Sequence, residues 1–199
     1  MQYNSKSVIQ MQVSIMAHPF QAAPTSPMAH PTAPLALTVQ SSLPIVLFDL
    51  NGTLCKRINK KTEVVFRPNL EKLKHLNGKY RIGVYSSMQP HNIEKITLQI
   101  EKKCNQTIFD RTLIFDRSHT VNFTEEELNA NPKINAWKTK KCLRNLFENI
   151  DNVTIVDDEL YKISSDEREH AIIVPEYKCT KKDKTLKNLV CKLCKKVTQ

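Results

Sequence analysis

No apolar run in this 199-residue chain approaches the roughly 18–20 residues that a bilayer-spanning helix needs, so no transmembrane helix is expected. Residues 1–42 lack the charged start and apolar core of a secretory signal. Arginine is missing from the first forty residues, which argues against a mitochondrial presequence. The six cysteines (Cys55, Cys104, Cys142, Cys179, Cys191 and Cys194) are scattered, a usage that suits reduced thiols in the cytoplasm or nucleus. Cys179, Cys191 and Cys194 fall one ligand short of a structural zinc site, and His170 stands at an unsuitable spacing to supply it. Acid is nearly absent from the C-terminal stretch. There Asp183 alone faces Lys178, Lys181, Lys182, Lys184, Lys187, Lys192, Lys195 and Lys196.

What is present begins with charge. A formal net charge of +10 and a pI near 9.3 favour acidic partners: a phosphoprotein, nucleic acid or an anionic surface. Much of that excess belongs to residues 178–199, which read as a basic tail. Leu186, Leu189, Val190, Leu193 and Val197 recur there at helical spacing. The tail is therefore either a short amphipathic helix meeting an acidic protein or nucleic acid, or a solvated, partly ordered terminus. The length suits one compact domain plus tails, expected as a monomer. Residues 1–42 are rich in Pro, Ala, Ser, Thr and Met and repeat Met-Ala-His-Pro at 16–19 and 28–31. That composition buries too little apolar surface to offset ordering entropy, so a disordered arm is expected.

The domain is expected over residues 43–177. Pro44–Leu50 reads as a buried strand, Pro68–Leu76 as a helix and Tyr80–Tyr85 as a second strand. Pro90–Lys103 reads as a helix with Ile93, Ile96, Leu98 and Ile100 toward the sheet, and Gln106–Phe115 as a strand or hairpin. Lys138–Ile150 reads as an amphipathic helix through Cys142, Leu143, Leu146 and Phe147. Val153–Val156 and Ala171–Val174 are further strands. Strands alternating with helices imply parallel βαβ units, hence an α/β fold with a central, mainly parallel sheet between covering layers.

Three of these strands end on polar residues: Asp49, Ser86 and the pair Asp157-Asp158. In a parallel sheet those ends share one edge, where such folds place their chemistry. Each is ordinary alone: a strand-end cap, a turn serine, a surface pair of acids. Together they supply what phosphoryl transfer needs. Asp49 offers a carboxylate nucleophile, and Ser86 offers a donor to phosphate. The cluster Lys138–Lys141 offers a cation, and Asp49, the backbone carbonyl of Asn51 and Asp158 offer oxygen ligands to Mg2+, with Asp157 as second choice. Gly52 lets the chain turn with its amides exposed.

The string Asp49-Leu50-Asn51-Gly52-Thr53-Leu54 resembles the first motif of the haloacid-dehalogenase superfamily, usually Asp-x-Asp-Gly-Thr-Leu. Arg67-Pro68, Val84-Tyr85-Ser86-Ser87, Phe109-Asp110-Arg111 with Phe115-Asp116-Arg117, Lys141-Cys142-Leu143 and Val156-Asp157-Asp158-Glu159 resemble elements of the CTD-phosphatase and NLI-interacting-factor-like family, the FCP homology domain. The resemblance implies a three-layer fold without a large cap domain, and an aspartyl-phosphate intermediate. It selects Lys141 within the lysine cluster. It also implies a phosphorylated protein as substrate, on serine or threonine, such as the RNA polymerase II tail.

One departure decides the chemistry. Asn51 stands where the family has the aspartate that protonates the leaving group and activates water. An amide cannot exchange that proton near neutral pH. Two outcomes follow: a magnesium-dependent phosphatase of reduced activity, or an inactive phosphopeptide- or protein-binding module. Glu63 or Asp158 could stand in as the acid, though nothing in the sequence positions them. Asn51-Gly52 is also the dipeptide most open to deamidation, because glycine leaves the attacking amide unhindered. Conversion to aspartate would restore the motif.

Overall fold

A computed structural model describes residues 43–58, 63–131, 134 and 139–197. The arm expected over 1–42 lies outside them, as does Lys138. Among the described residues no helix is long and apolar enough to cross a membrane.

Five strands form the central sheet: β1 (Ile45–Phe48), β4 (Arg81–Tyr85), β5 (Ile114–Phe115), β8 (Val153–Asp157) and β9 (Ala171–Ile173). Between them in sequence lie β2 (Cys55–Arg57), β3 (Val64–Phe66), β6 (Val121–Asn122) and β7 (Thr139–Lys140). The sheet order is β5-β4-β1-β8-β9, and every pairing is parallel. The register sets Phe48 opposite both Val84 and Val156. Asp49, Ser86 and Asp157 therefore emerge at nearly one level. Two small antiparallel pairs, β2–β3 and β6–β7, stand outside the sheet.

All four residues of β1 are buried, so alternate side chains feed two cores, as expected for a central parallel strand. Val46 and Phe48 join one cluster with Leu73, Ile82, Val84, Ile93, Ile96 and Leu189. Ile45 and Leu47 join the other with Tyr85, Phe115, Leu143, Phe147 and Ile155. The first core is covered by α1 (Pro90–Cys104), the segment Leu70–Leu76 and α3 (Thr185–Lys196). A short helix, α2 (Glu125–Ala130), begins with a capping box between Thr124 and Glu127.

Several local expectations change. Leu70–Leu76 is a 3₁₀ helix, and its buried Leu70, Leu73 and Leu76 recur every third residue, the spacing that eclipses in a three-residue turn. Leu98 of α1 faces solvent at 52% exposure, while Ile93, Ile96 and Ile100 are buried. Within Gln106–Phe115 only Ile114–Phe115 is strand. The Asp110 carboxylate accepts from the Thr112 amide and starts a 3₁₀ turn at Arg111–Leu113 instead.

The helix expected at Lys138–Ile150 does not form. The Lys141 amide donates to the Lys162 carbonyl at 2.7 Å, and the Ser164 amide donates to the Lys141 carbonyl at 3.0 Å. That extended pairing is incompatible with helix. The buried carboxylate of Glu167 then accepts from the amides of Leu143 (2.6 Å) and Arg144 (2.9 Å), which ends in a single turn back to the Leu143 carbonyl. The second covering layer is built of turns for this reason.

Of the two readings of residues 178–199, the structure has the amphipathic helix, and its apolar face is packed on the domain. This helix, α3, buries Leu186, Leu189, Val190 and Leu193, each contributing about 1.5–3 kcal/mol relative to exposure. The Tyr80 hydroxyl donates to the Leu193 carbonyl at 3.0 Å and fixes the helix end. Arg67 anchors the chain just before α3. Its Nε lies 3.2 Å from Asp183 Oδ2, in ion-pair contact but off the hydrogen-bond line, and its ring-facing guanidinium sits 5.2 Å from the Tyr177 ring centre.

Candidate active site

Asp49 continues β1 by one residue, its amide donating to the Val156 carbonyl at 2.8 Å. The chain then turns, because the Leu50 carbonyl accepts from both Leu54 and Cys55 at 2.9 Å. Gly52 takes φ +91°, and a Cβ there would stand 2.2 Å from Asp158 Oδ2. Only glycine fits this position, on backbone angle and on space. Its amide donates to the Cys55 carbonyl and its carbonyl accepts from the Tyr177 amide, both at 2.7 Å.

Asp49 is buried, and its Oδ1 lies 2.7 Å from Lys141 Nζ. The same ammonium lies 2.5 Å from Asp157 Oδ2. Asp157 Oδ1 accepts from the Glu159 amide at 2.9 Å, so both of its oxygens are engaged. Burial works against the Lys141 charge, but Asp157 and Asp49 outweigh it and hold the lysine above its ordinary range. Lys140 pairs instead with Glu127. The structure thus brings Lys141 to Asp49.

Burial raises the Asp49 carboxyl above its ordinary value against the pull of Lys141. Burial, then the charges of Asp157 and Asp49, push Asp158 up to about 7. Such a site is short of positive charge. One oxygen each from Asp49, Asp157 and Asp158 lie within 4.8 Å of one another, an all-oxygen set of the kind that holds a hard cation. Asp158 has the freer carboxylate, with Thr53 Oγ1 donating to it at 3.3 Å.

A cleft of about 490 Å³ opens over Asp49, lined by Asn51, Arg57, Ser86, Arg117 and Lys162. Ser86 follows β4 directly, is buried, and is tied by its amide to the Phe115 carbonyl at 3.0 Å. The Asn51 carboxamide Oδ1 accepts from the Arg57 amide at 3.1 Å, which anchors the side chain to β2. Glu63 is exposed and does not line the cleft.

The anchored turn bears on deamidation. That reaction needs the Gly52 nitrogen to attack the Asn51 carboxamide, yet this nitrogen is held on the Cys55 carbonyl and the carboxamide on Arg57. The folded chain is expected to keep Asn51 during storage, and the chain unfolded in urea to convert faster. Peptide mapping of both after equal incubation measures it.

Some contributors had no signal in the sequence. Glu167, wholly buried, sits in the charged run Ser165-Asp166-Glu167-Arg168-Glu169-His170, where no pattern marks it as inward. It sets the turn that follows Lys141. Arg57 and Lys162 reach the cleft from elements with no recognisable motif.

A family model described as NLI interacting factor-like phosphatase matches residues 44–199. No curated protein sequence matches the chain. Two similar solved structures are fission yeast RNA polymerase II CTD phosphatase Fcp1 in a variant bound to beryllium fluoride, and Fcp1, described as an essential RNA polymerase II CTD phosphatase. Both are 13% identical; they cover 78% of this chain, with TM-scores of 0.51 and 0.52. The chain spans about half of each, 51% and 49%, and at this identity the likeness is one of fold. With its match running through the Asp49 turn, the Lys141 loop and α3 alike, the chain belongs to the NLI interacting factor-like phosphatase family.

Proposed function

We propose that this chain is a slow, magnesium-dependent phosphatase of phosphoserine or phosphothreonine in proteins, working through an aspartyl-phosphate. The observation that carries the reading is the buried contact of Asp49 with Lys141 at the floor of an open cleft. Asp49 attacks phosphorus and the serine or threonine oxygen leaves, after which water cleaves the acyl-phosphate. Ser86 donates to the phosphoryl oxygens, and Lys141 neutralises charge beside the nucleophile. Asp49, the Asn51 carbonyl and Asp158 would hold magnesium, with Asp157 as second choice. When bound, the ion supplies charge neutralisation at the phosphoryl oxygens.

Among the described residues the β2–β3 pair and the 3₁₀ segment Leu70–Leu76 separate Asp49 from β4, and the thirty-odd residues of that connection are too few for a cap domain. A cleft open to that degree accepts a side chain presented on a polypeptide. The similar solved proteins suggest RNA polymerase II tail repeats as one such polypeptide. A monomer in the cytoplasm or nucleus suits this role.

Asp49→Asn is expected to abolish hydrolysis of an aryl phosphate and of a phosphoserine peptide. Turnover in Asp49→Asn equal to wild type sinks the reading. A second reading, a binding module without turnover, draws on Asn51, whose amide has no proton to give. It requires phosphopeptide binding with no Asp49-dependent release of phosphate.

Magnesium is expected to raise the thermal midpoint of the wild-type chain by about 5–10 °C at a hundredfold excess over Kd. Asp158→Asn should lose most of that rise. The comparison is read by calorimetry and needs no catalytic activity.

A further inference from the structure

α3 and the 3₁₀ segment Leu70–Leu76 pack side by side on one face of the domain. Their outward surface is strongly one-sided in charge. Lys178, Lys181, Lys182, Lys184, Lys187, Lys192, Lys195 and Lys196 are all exposed. The acids nearby are already paired: Asp183 with the buried Arg67, and the exposed Glu176 with Lys56. On the adjoining segment Lys72 and Lys74 outnumber Glu71. A face that served solubility alone would mix both signs.

Between the two elements lies a groove of about 270 Å³ lined by Lys72, His75, Lys187, Val190, Cys191 and Cys194. Cys191 and Cys194 are its accessible apolar residues, beside the buried Val190, and Lys72 and Lys187 are its cations. α3 is anchored by Leu186, Leu189, Val190 and Leu193, so the accessible side of the groove is formed by the exposed Lys187 and Cys191 and the half-buried Cys194. An occupant must be anionic along its length and apolar at one point.

We propose that this face docks an acidic, extended peptide segment whose single apolar side chain enters the groove. Carboxylates on either side of that residue meet Lys72 and Lys187, and the apolar group covers Cys191 and Cys194. Nucleic acid fits less well. Neither α3 nor Leu70–Leu76 contains a Phe, Tyr or Trp to stack a base, His75 being the one ring at the groove, and the lysines are point charges without the planar fork that grips phosphate. A duplex tracking the lysines would leave the groove unfilled. The proposal stands whether or not the cleft on the sheet edge turns over.

The test is fluorescence anisotropy on the full chain with a labelled glutamate-rich peptide carrying one central leucine. The controls are the same peptide with serine for leucine, and a duplex DNA of equal charge. The leucine peptide is expected to bind most tightly, the serine peptide roughly tenfold more weakly. Lys187→Glu and Cys191→Glu should each weaken the leucine peptide about tenfold, by charge reversal and by a carboxylate at the groove's edge. Both residues are exposed, so an unchanged thermal midpoint certifies the fold. Equal binding of the two peptides overturns the proposal. So does tighter binding of the duplex, or no loss in Lys187→Glu.

Discussion

Asn51→Asp is expected to raise phosphatase turnover by about 10²–10⁴, the usual worth of a positioned general acid–base. The geometry favours a gain without rearrangement. Aspartate is isosteric with asparagine, and one carboxylate oxygen can keep the hydrogen bond now accepted by Asn51 Oδ1 from the Arg57 amide. The other oxygen then occupies the amide nitrogen's position on the wall of the cleft. There it can protonate the departing serine oxygen and later take a proton from water. The effect is read as kcat on a phosphoserine peptide, with magnesium, beside the native chain. An aryl phosphate, whose leaving group needs little protonation, should gain less on the first step. Equal rates for the native chain and the Asn51→Asp variant would show that proton transfer is not what limits this site.

That expectation could be framed from residues alone because the strand ends are legible. Asp49, Ser86 and Asp157-Asp158 each follow an apolar run, and parallel pairing then forces them to one edge. What could not be read is how the intervening loops are held. Residues 139–150 carry apolar side chains at spacings that suit a helix, yet Leu143 and Phe147 reach the same core from a single turn. Burial is shared by both conformations, so periodicity cannot separate them. The deciding partner, Glu167, lies over twenty residues away in sequence and shows no pattern of its own. The tail misled in a related way. Its lysines suggested solvent, whereas its four buried aliphatic residues complete the first core. Charge on one helical face says nothing about whether the other face is covered.

The Lys141→Met variant should lose about 3–5 kcal/mol of stability, the cost of leaving buried charge unpaired. Methionine fills much the same volume, so the loss reports on charge and not on a cavity. Asp157, wholly buried, and Asp49 would both lose the same ammonium, now 2.5 Å from the first and 2.7 Å from the second. For a chain of this size that corresponds to a fall in thermal midpoint of roughly 6–20 °C. A second substitution separates charge pairing from packing. Adding Asp157→Asn to Lys141→Met removes one of the stranded charges and should recover part of the loss, whereas Asp157→Asn alone should destabilise. Such a non-additive cycle is the signature of direct contact between the two groups. Magnesium offers an independent check, since a cation among Asp49, Asp157 and Asp158 can compensate the missing ammonium. The stabilisation it confers should therefore be larger in Lys141→Met than in the native chain. If the two single losses instead sum in the double variant, Lys141 holds the loop by packing and its charge has no role in holding Asp49 and Asp157 in place.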